Sequence, residues 1–426
     1  MGWKPLPRPG ADESTIRVRS LHRATEHRVG EMSTKRSLSR SCALGVVLLV
    51  QACAAHPARN PVPEELVQEA TIPDFASVRI WGDAHASDAD ANDSLNRIAE
   101  QVMEATGPAA GYDMLVISGG GSDGAFGAGL LKGWSASGTR PRFRIVTGIS
   151  TGALIAPFAF LGTEYDGALE ELYTHSSRRD LMRLRPLGGL FGDSLADTRP
   201  LRDRIAQQIN EAFVEAIARE HERGRRLLIG TTHLDAGRPM IWNIGAIATS
   251  GAPGAGELIR KVILASASIP GFFPPVRLEV EAGGRRYDEL HVDGGVSTQA
   301  FLFPMSINLA ATHARSEHRT RPKLYVIRNA PVMPTWHAVD QRLLPIARAS
   351  ILTQVVYQGN GDLYRLYLQA ERNGFDYRAA WIPNDMKTDG GLTFEPEYMG
   401  VLFDRGYRLG SEGNPWRAAP PGARIH

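Results

Sequence analysis

Two serines in the chain lie between glycines at the spacing of a serine nucleophile. Residues 120–124 read Gly-Gly-Ser-Asp-Gly and residues 148–152 read Gly-Ile-Ser-Thr-Gly, so Ser122 and Ser150 both fit the pattern G-x-S-x-G. In that pattern the glycines allow a sharp turn between a strand and a helix, which exposes the serine hydroxyl. The pattern predicts acyl transfer by a serine, but it does not choose between the two.

The residues around each serine favour Ser150 as the nucleophile. Small and then apolar residues follow Ser150 up to Ala156, and they predict a closely packed helix whose N-terminal dipole favours negative charge at the serine. Ser122 instead follows three glycines, whose bare backbone leaves N–H groups free to bind an anion. The expected oxyanion hole is Gly119, Gly120, Gly121 and Gly124, and the expected turn around the nucleophile is Gly148 and Gly152.

A carboxylate far along the chain completes a recognisable pattern. Residues 293–295 read Asp-Gly-Gly. The glycine run, the G-x-S-x-G pattern after the next strand and this Asp-Gly-Gly together resemble the patatin-like phospholipase family. Residues 230–232, 265–276 and 324–329 are further stretches similar to that family. The resemblance extends from about residue 113 to about residue 329, with a tail to about residue 409.

The resemblance implies a three-layer α/β/α sandwich around a mostly parallel sheet. It also implies that Ser150 is the nucleophile and that Asp293 takes its proton, in a dyad without histidine. A serine hydroxyl is a weak nucleophile until a positioned base accepts its proton, and the oxyanion needs donors placed in advance. The expected activity is hydrolysis of lipid acyl esters through an acyl-enzyme intermediate, of the phospholipase A, lysophospholipase or esterase type, without a cofactor.

One residue departs from the family pattern. The family places Arg or Lys after the glycine run, where this chain has Asp123. A carboxylate there opposes the oxyanion charge unless it is turned outward or paired, and Arg142 and Arg144 are the expected partners. This departure motivates an alternative, a non-catalytic envelope lipoprotein that keeps the fold for binding, although such a protein needs neither Ser150 nor Asp293.

A conventional Ser-His-Asp triad is the main enzymatic alternative. It would need a histidine after the acid in chain order. The candidates are His313, His318, His337 and His426. The first two lie in a polar stretch that is typical of a solvated loop.

The glycines of residues 119–124 also match a dinucleotide-binding fingerprint. That fingerprint requires an acidic residue at the end of the next strand to bind the ribose, and here the next strand ends in Thr147 and Gly148. The nucleotide interpretation is therefore disfavoured.

Composition excludes other classes of function. The chain has 426 residues, 43% of them hydrophobic and 22% charged, which is enough to bury a large core. The formal net charge is only +2, so no nucleic-acid partner is expected. Histidines and cysteines do not fall at metal-ligand spacing, and residues 88–93 lack the glycine and terminal glutamate of an EF-hand loop. The sequence predicts no metal site.

Apolar runs predict the elements that position these residues. A strand at 114–117, a helix at 125–134 and a strand at 143–146 form a βαβ unit whose strands are buried on both faces. Further strands are predicted at 76–81, 227–229, 240–242 and 324–327, and further helices at 94–105, 201–218, 257–267, 339–358 and 398–409. The expected assembly is an α/β sandwich.

Two segments are predicted to lie near the site. Residues 165–198 carry several arginines among apolar residues and are expected to leave the sheet and form a lid or rim. In residues 265–276, prolines end a helix and the pair Phe272 and Phe273 is expected to join the core rather than line an acyl-chain groove near Asp293.

The first 52 residues read as an export leader. A basic stretch at residues 35–40 precedes an apolar run at residues 43–50, which is too short to cross a bilayer, and Cys53 follows. This arrangement resembles the bacterial lipobox. It implies that translation starts at Met32 and that Cys42 is lost with the leader. It also implies a diacyl anchor on Cys53, which would hold the protein on the membrane surface of the bacterial cell envelope. The expected location is that of an outer-membrane lipoprotein facing the periplasm or the cell surface.

The expected domain organisation follows from these boundaries. A leader occupies residues 1–52, a tether with an N-terminal decoration residues 53–110, the catalytic domain residues 111–410, and a C-terminal tail residues 411–426. Lipid or another acyl ester is the expected substrate.

Overall fold

The structure is a computed structural model that describes residues 58–84, 93, 96–98, 101, 113–185, 194–305, 321–388 and 390–423. The predicted leader, with Met32, Cys42 and Cys53, lies outside these residues, as do His313, His318 and His426. Most of the helix predicted at 94–105 also lies outside them.

The described residues contain eleven strands, nine of them in one sheet. The strands are β1 (Arg79–Trp81), β2 (Met114–Ile117), β3 (Ile145–Ile149), β4 (Arg183–Leu184), β5 (Ala196–Asp197), β6 (Arg226–His233), β7 (Arg238–Asn243), β8 (Val276–Ala282), β9 (Arg285–Asp293), β10 (Lys323–Pro331) and β11 (Asp376–Ile382). The order along the sheet is β1-β7-β6-β3-β2-β10-β11, with β9 paired to β6 and β8 to β9. The block from β6 to β11 is parallel, and β7, β9, β8 and β1 add antiparallel pairs.

Side chains along the central strands alternate between two cores. Leu115 and Ile117 belong to the core on one face of the sheet, whereas Met114 and Val116 belong to the core on the other. Every residue of β2 is buried, as a continuous apolar run predicts for a parallel strand covered on both faces. The predicted three-layer α/β/α sandwich is confirmed.

Helices cover both faces of this sheet. They are α1 (Gly124–Ala136), α2 (Thr151–Leu161), α3 (Asp166–Thr174), α4 (Arg178–Leu181), α5 (Arg199–Gln208), α6 (Glu211–Glu222), α7 (Ile244–Ala248), α8 (Ala255–Ser266), α9 (Leu343–Asn373) and α10 (Pro396–Ser411). Helices α1, α2, α8 and α10 supply the first core, and Leu363, Leu366 and Ala370 of α9 supply the second. The predicted βαβ unit from β2 through α1 to β3 is confirmed.

Helices α1 and α10 pack with their backbones in contact. A Cβ atom added at Gly129 would lie 2.0 Å from the carbonyl oxygen of Phe403, and one at Gly133 would lie 2.0 Å from that of Tyr407. Only glycine permits this approach, because any side chain would separate the helices. The helix that follows the glycine loop is thereby fixed to the end of the chain.

Several elements differ from the sequence prediction. The single helix predicted at 201–218 is wrong, because Asn210 separates α5 from α6 and its side chain accepts a hydrogen bond from the Phe213 N–H at 3.0 Å. A cap of this kind begins a new helix. The hairpin of β8 and β9 and the edge strand β11 were not predicted, and α9 runs fifteen residues past the predicted end at 358.

Both ends of the described chain lie against this sandwich. Strand β1 pairs with β7 at one edge of the sheet, and the Arg59 guanidinium donates to Asp235 at 2.7 Å and to Asp288 at 2.8 Å. Near the other end, the Trp416 ring lies 4.5 Å from that of Trp134.

Candidate active site

Ser150 lies at the turn between β3 and α2 in a backbone conformation that residues other than glycine rarely adopt. Its φ is 55° and its ψ is −122°. A Cβ atom at Gly148 would lie 2.3 Å from the carbonyl oxygen of Gly152, and one at Gly152 would lie 2.2 Å from that of Ile117. Both glycines are therefore required for the strand and the helix to approach, and the resulting turn is the sharp kind that presents a nucleophile.

Asp293 is the hydrogen-bond acceptor of the Ser150 hydroxyl. The Ser150 Oγ donates to Asp293 Oδ2 at 2.6 Å, and the Gly295 N–H donates to Asp293 Oδ1 at 2.7 Å. Both side chains are buried, with 6% of Ser150 and 5% of Asp293 exposed. One carboxylate oxygen thus faces the hydroxyl proton while the backbone fixes the other, which is the geometry of a nucleophile and its base.

Strand β6 brings these two residues together across the sheet. Ile149, at the end of β3, pairs with Gly230, and Asp293, at the end of β9, pairs with Thr231. A Cβ atom at Gly294 would lie 2.6 Å from the carbonyl oxygen of Gly230. The glycine after Asp293 therefore lets the end of β9 lie directly on β6.

Two serines that sequence reasoning missed hold this arrangement. Ser266 Oγ accepts from the Ser150 N–H at 3.0 Å and donates to the Gly230 carbonyl at 2.6 Å. The carbonyl of Ser268 accepts from the Asp293 N–H at 3.0 Å. Both serines lie in residues 265–276, a stretch that resembles the family, and this resemblance could have indicated a role near the site. It could not indicate their hydrogen-bond partners, which are more than twenty residues away in sequence.

Burial raises the pKa of Asp293 to about 7. The hydrogen bonds from Ser150 and Gly295 lower this pKa, but desolvation of the carboxylate is the larger effect. A carboxylate whose pKa lies near neutrality is far better matched to accept a serine proton than one with an ordinary pKa.

Two of the four glycines predicted for the oxyanion hole have N–H groups available. Within the part of the chain that the structure describes, the N–H groups of Gly120 and Gly121 have no hydrogen-bond acceptor. The Gly119 N–H donates to the Gln299 carbonyl at 3.0 Å, and the Gly124 N–H bonds within the turn of the loop. The prediction that Gly119 and Gly124 donate to the oxyanion is therefore corrected, because other backbone carbonyls already occupy their N–H groups.

Close backbone contacts explain why the loop is made of glycine. A Cβ atom at Gly120 would lie 2.1 Å from the carbonyl oxygen of Asn329. Gly121 has a φ of 56°, and a Cβ atom there would lie 2.0 Å from the carbonyl oxygen of Gly391. The Asn329 side chain also donates to the Ser118 carbonyl at 2.9 Å. The loop is thus fixed by residues more than two hundred positions away.

Asp123, the departure from the family pattern, is buried and has a specific partner. Its Oδ1 accepts a hydrogen bond from the Tyr398 hydroxyl of α10 at 2.6 Å. The expected pairing with Arg142 and Arg144 is wrong: Arg142 bonds to Glu220, and Arg144 donates to a backbone carbonyl near that glutamate. Asp123 therefore links the loop to α10.

An apolar slot opens at Ser150. Its volume is about 50 Å³. Ser150 and Gly121 border it together with the apolar residues Leu154, Leu172, Leu181, Phe273, Phe394 and Met399. Leu172 and Leu181 come from the segment predicted as a lid or rim, and Phe273, expected in the core, is buried in a small cluster and also lines the slot.

A second and larger opening begins at the glycine loop. It is a groove of about 720 Å³ that Gly119, Gly120 and Asp123 border at one end. The other end is bordered by α9, including Leu344 and Arg348. Both openings meet the loop whose N–H groups are available.

The alternative nucleophile and the described histidines have no part in this geometry. Ser122 is fully buried, and its Oγ has no hydrogen-bond partner among the described residues. No histidine within those residues bonds to Ser150 or Asp293. His291, the nearest in sequence to the acid, bonds instead to Thr231 and Glu289.

His291 belongs to a buried cluster that sequence spacing did not predict. One ligating atom from each of His233, Glu289 and His291 lies within 4.8 Å of the others, a separation that a metal ion could bridge. Both oxygens of Glu289, however, accept hydrogen bonds from the Arg79 guanidinium. Burial lowers the pKa of His291 to about 4, so its imidazole is neutral at pH 7. The ion pair between Arg79 and Glu289 joins β1 to β9, and His291, as a neutral group, forms a hydrogen bond with the same carboxylate.

A comparison with protein families identifies one domain of the chain. Residues 115–303 match the family model described as Patatin-like phospholipase. These residues form a patatin-like phospholipase domain. The matched range contains both Ser150 and Asp293, and a domain of this kind supports lipid acylhydrolase activity in general.

Comparison with solved structures and curated sequences adds little to the patatin-like assignment. The crystal structure of VipD from Legionella pneumophila is similar with 12% sequence identity and a TM-score of 0.37, and the similarity covers 72% of this chain and 67% of that one. No curated protein sequence matches the chain. Among the described helices, none combines the length and apolar composition that a membrane crossing requires.

Proposed function

We propose that the protein is a serine acylhydrolase that cleaves acyl ester bonds of lipids through Ser150 and Asp293. The observation that carries this proposal is the 2.6 Å hydrogen bond from the Ser150 hydroxyl to Asp293, formed at a strained turn. The available N–H groups of Gly120 and Gly121 supply the third requirement of acyl transfer, donors for the oxyanion.

In the first half of the reaction, Asp293 Oδ2 takes the hydroxyl proton as Ser150 Oγ attacks the ester carbonyl carbon. The carbonyl oxygen becomes the oxyanion, which the N–H groups of Gly120 and Gly121 stabilise. When the tetrahedral intermediate collapses, the bond to the alcohol breaks, and that alcohol leaves with the proton from Asp293. The product is an acyl ester on Ser150.

In the second half, water replaces the alcohol. Asp293 accepts a proton from the water as its oxygen attacks the acyl carbon, and the same N–H groups stabilise the new oxyanion. Collapse breaks the bond to Ser150 Oγ, which regains the proton from Asp293 while the fatty acid leaves. The dyad returns to its starting state without a histidine or a cofactor.

The two openings suggest how a lipid ester lies in the site. The slot beside Ser150 is lined by Leu, Phe and Met side chains, which suits the methylene groups of the acyl chain next to the ester. The groove that begins at Gly119 and Gly120 is wider and more polar, which suits the remainder of the lipid. Cleavage would then occur between the two, at the glycine loop.

Labelling with a fluorophosphonate tests the assignment. We expect the wild-type protein to be labelled and to hydrolyse a p-nitrophenyl acyl ester, and Ser150→Ala to lose both activities. Turnover should fall by roughly 10³-fold or more in Ser150→Ala, because the nucleophile and its base act as a unit. Asp293→Asn should lose turnover similarly.

Ser122→Ala is the matched control, because it removes the other glycine-framed hydroxyl. We expect it to keep both labelling and turnover. Labelling that persists in Ser150→Ala and disappears in Ser122→Ala would overturn the assignment of the nucleophile. A folded wild-type protein that neither labels nor hydrolyses an ester would favour the binding-protein alternative.

We also propose that Cys53 carries a lipid anchor in a bacterial envelope. The support is the apolar run at residues 43–50 that ends at this cysteine. Fractionation with radiolabelled palmitate tests it: the wild-type chain should incorporate label and sediment with membranes, and Cys53→Ala should do neither. Equal labelling of both forms would refute the anchor.

A further inference from the structure

Part of the protein surface beside the active site is unusually apolar. Trp336 is 87% exposed, Leu343 81%, Ile351 59% and Met333 58%, and Ile346 is also exposed. We call these five residues the apolar face. Isolated exposed apolar residues are common, but five of them within residues 333–351 indicate an interaction site.

The apolar face comprises the first turns of α9, which are not buried, and the segment just before the helix, which carries Met333 and Trp336. Helix α9 has 31 residues, and its first buried residue is Gly359. Leu363, Leu366 and Ala370 pack in the core beyond that point. Since a helix gains most of its stability from packing of its apolar face, apolar residues on the free half indicate a partner outside the described residues.

The charged residues among 333–351, the segment of the apolar face, are Asp340, Arg342 and Arg348. Residues 341–361 contain Arg342 and Arg348 and no Asp or Glu. The Arg342 guanidinium bonds to Asp340 at 2.6 Å, whereas Arg348 has no acidic partner within 4 Å among the described residues. Tryptophan and leucine on one side with arginine beside them is the composition of helices that lie in a membrane interface.

The apolar face is continuous with the site. Leu344 and Arg348, in the same helical turns, border the groove that begins at Gly119 and Gly120 of the glycine loop. The helix also reaches the loop by direct packing, because Leu352 lies against Gly390, and the next residue, Gly391, contacts Gly121. The face and the opening of the groove therefore share the first turns of α9.

We propose that the apolar face docks on a phospholipid bilayer, with Arg348 directed at anionic headgroups, and delivers lipid into the groove. This inference rests on the proposed function, because it names where that function meets its substrate. Docking here is shallow, since α9 lies in the interface and does not cross it. A second copy of the chain is the competing occupant, and it gives neither a role to Arg348 nor a reason for the groove.

An environment-sensitive fluorophore tests docking independently of catalysis. The background is the full chain with Cys42→Ala and Cys53→Ala, so that neither natural thiol reacts and no anchor contributes. Leu343→Cys places the NBD fluorophore on the apolar face, and Leu368→Cys places it on the same helix outside that face, at a position that is 59% exposed. Vesicles of phosphatidylcholine, with or without one-third phosphatidylglycerol, are then added.

We expect NBD emission at position 343 to rise and shift to the blue with vesicles, and emission at position 368 to stay unchanged. Phosphatidylglycerol should tighten binding about fivefold for each unpaired basic residue at the surface, so Arg348→Gln should remove about that factor. No change at position 343 with either vesicle would overturn the proposal. An equal change at both positions would also overturn it, because binding would then not be specific to the apolar face.

Turnover on two physical forms of substrate gives the second readout. The variant Trp336→Glu/Leu343→Glu/Ile351→Glu should lose about tenfold or more of its activity on phosphatidylglycerol vesicles and keep its activity on a soluble p-nitrophenyl ester. None of the three residues lines the groove or the slot.

A charge-matched control has the same number of exposed apolar residues replaced elsewhere. Leu234→Glu/Leu368→Glu/Val401→Glu should behave as the wild type on both substrates. Equal losses on vesicles in both triple variants would overturn the proposal, as would a wild-type dimer that only the apolar-face variant converts to a monomer. If the wild type hydrolyses neither substrate, the proposed function fails, and the fluorescence result still decides docking.

Discussion

Replacing Asp293 by asparagine should make the protein inactive and, at alkaline pH, more stable. The carboxylate is buried, and its pKa in the folded protein is about 7, against about 3.9 for an unperturbed aspartate. The folded state therefore binds a proton more tightly than the unfolded state between these values. Because the folded state then holds more protons, unfolding becomes easier as the pH rises through this window.

The size of this effect follows from the two pKa values. Ionising Asp293 in its buried position costs of the order of 4 kcal/mol at pH 8, and roughly 2.5 kcal/mol of that cost develops between pH 5 and pH 8. Asparagine has nearly the same shape: its Oδ1 can accept from the Gly295 N–H while its Nδ2 donates to Ser150 Oγ. The variant therefore keeps both hydrogen bonds and avoids the ionisation.

Urea denaturation of the full chain at pH 5 and pH 8 measures this difference. The free energy of unfolding of the wild type should fall by roughly 2.5 kcal/mol more than that of Asp293→Asn over this pH range. Comparing the two proteins cancels the contributions of all other titratable groups. Ser150→Ala is the control, since it is inactive but retains the carboxylate; loss of the Ser150 hydrogen bond raises the Asp293 pKa further, so its stability should fall with pH at least as steeply as that of the wild type. Identical pH dependence in the wild type and Asp293→Asn would refute the buried, high-pKa carboxylate. The same group should give kcat for a soluble ester an ascending limb near pH 7, because only the ionised form accepts the serine proton.

Three other substitutions test the geometry of the site. Ser150→Gly and Ser150→Ala both remove the hydroxyl, but only glycine tolerates the φ of 55° without strain. In urea denaturation, Ser150→Gly should therefore be more stable than Ser150→Ala by about 1–2 kcal/mol. Equal stabilities of the two variants would argue against a strained turn. Tyr398→Phe removes the hydroxyl that donates to the buried Asp123 and should cost about 1–3 kcal/mol of stability and lower kcat; an unchanged melting temperature and kcat would dismiss this contact. Gly121→Ala should lose turnover, because its Cβ would lie 2.0 Å from the carbonyl oxygen of Gly391. Gly138→Ala is the control, since Gly138 has a similar φ of 70° but open space around it, and this variant should keep its turnover. Equal turnover in the two variants would contradict the loop geometry.

The sequence predicted the parts of the site that depend on local pattern. The sharp turn at Ser150 needs glycines two residues before and two after, so its position could be read from five residues. The central strands could also be predicted from the sequence, since β2 is apolar at every position, as expected of a strand that is buried on both faces. Asp293 was found through the family resemblance and not through the strand that carries it, because the hairpin of β8 and β9 is rich in charged residues and was not predicted.

The parts that could not be predicted depend on contacts between distant segments. Nothing near Ser266 indicates that its hydroxyl will bond to the Ser150 N–H, which is 116 residues away. Arg142 and Arg144 were expected to pair with Asp123 from the order of strands, but the tyrosine that does so lies 275 residues further along the chain. Likewise, the glycine pattern could not distinguish Gly119, whose N–H is occupied, from Gly121, whose N–H is available.

The contacts of the glycine loop with the end of the chain have a consequence for how activity arises during synthesis. The loop is shaped by Gly391, and the helix that follows it is fixed by α10. A nascent chain that ends at residue 303 already contains Ser150 and Asp293, but it lacks the segments that place the oxyanion donors. The boundary of the family match therefore does not enclose every contact that shapes the glycine loop, and on the proposed mechanism an incompletely translated chain would carry Ser150 and Asp293 in an inactive form.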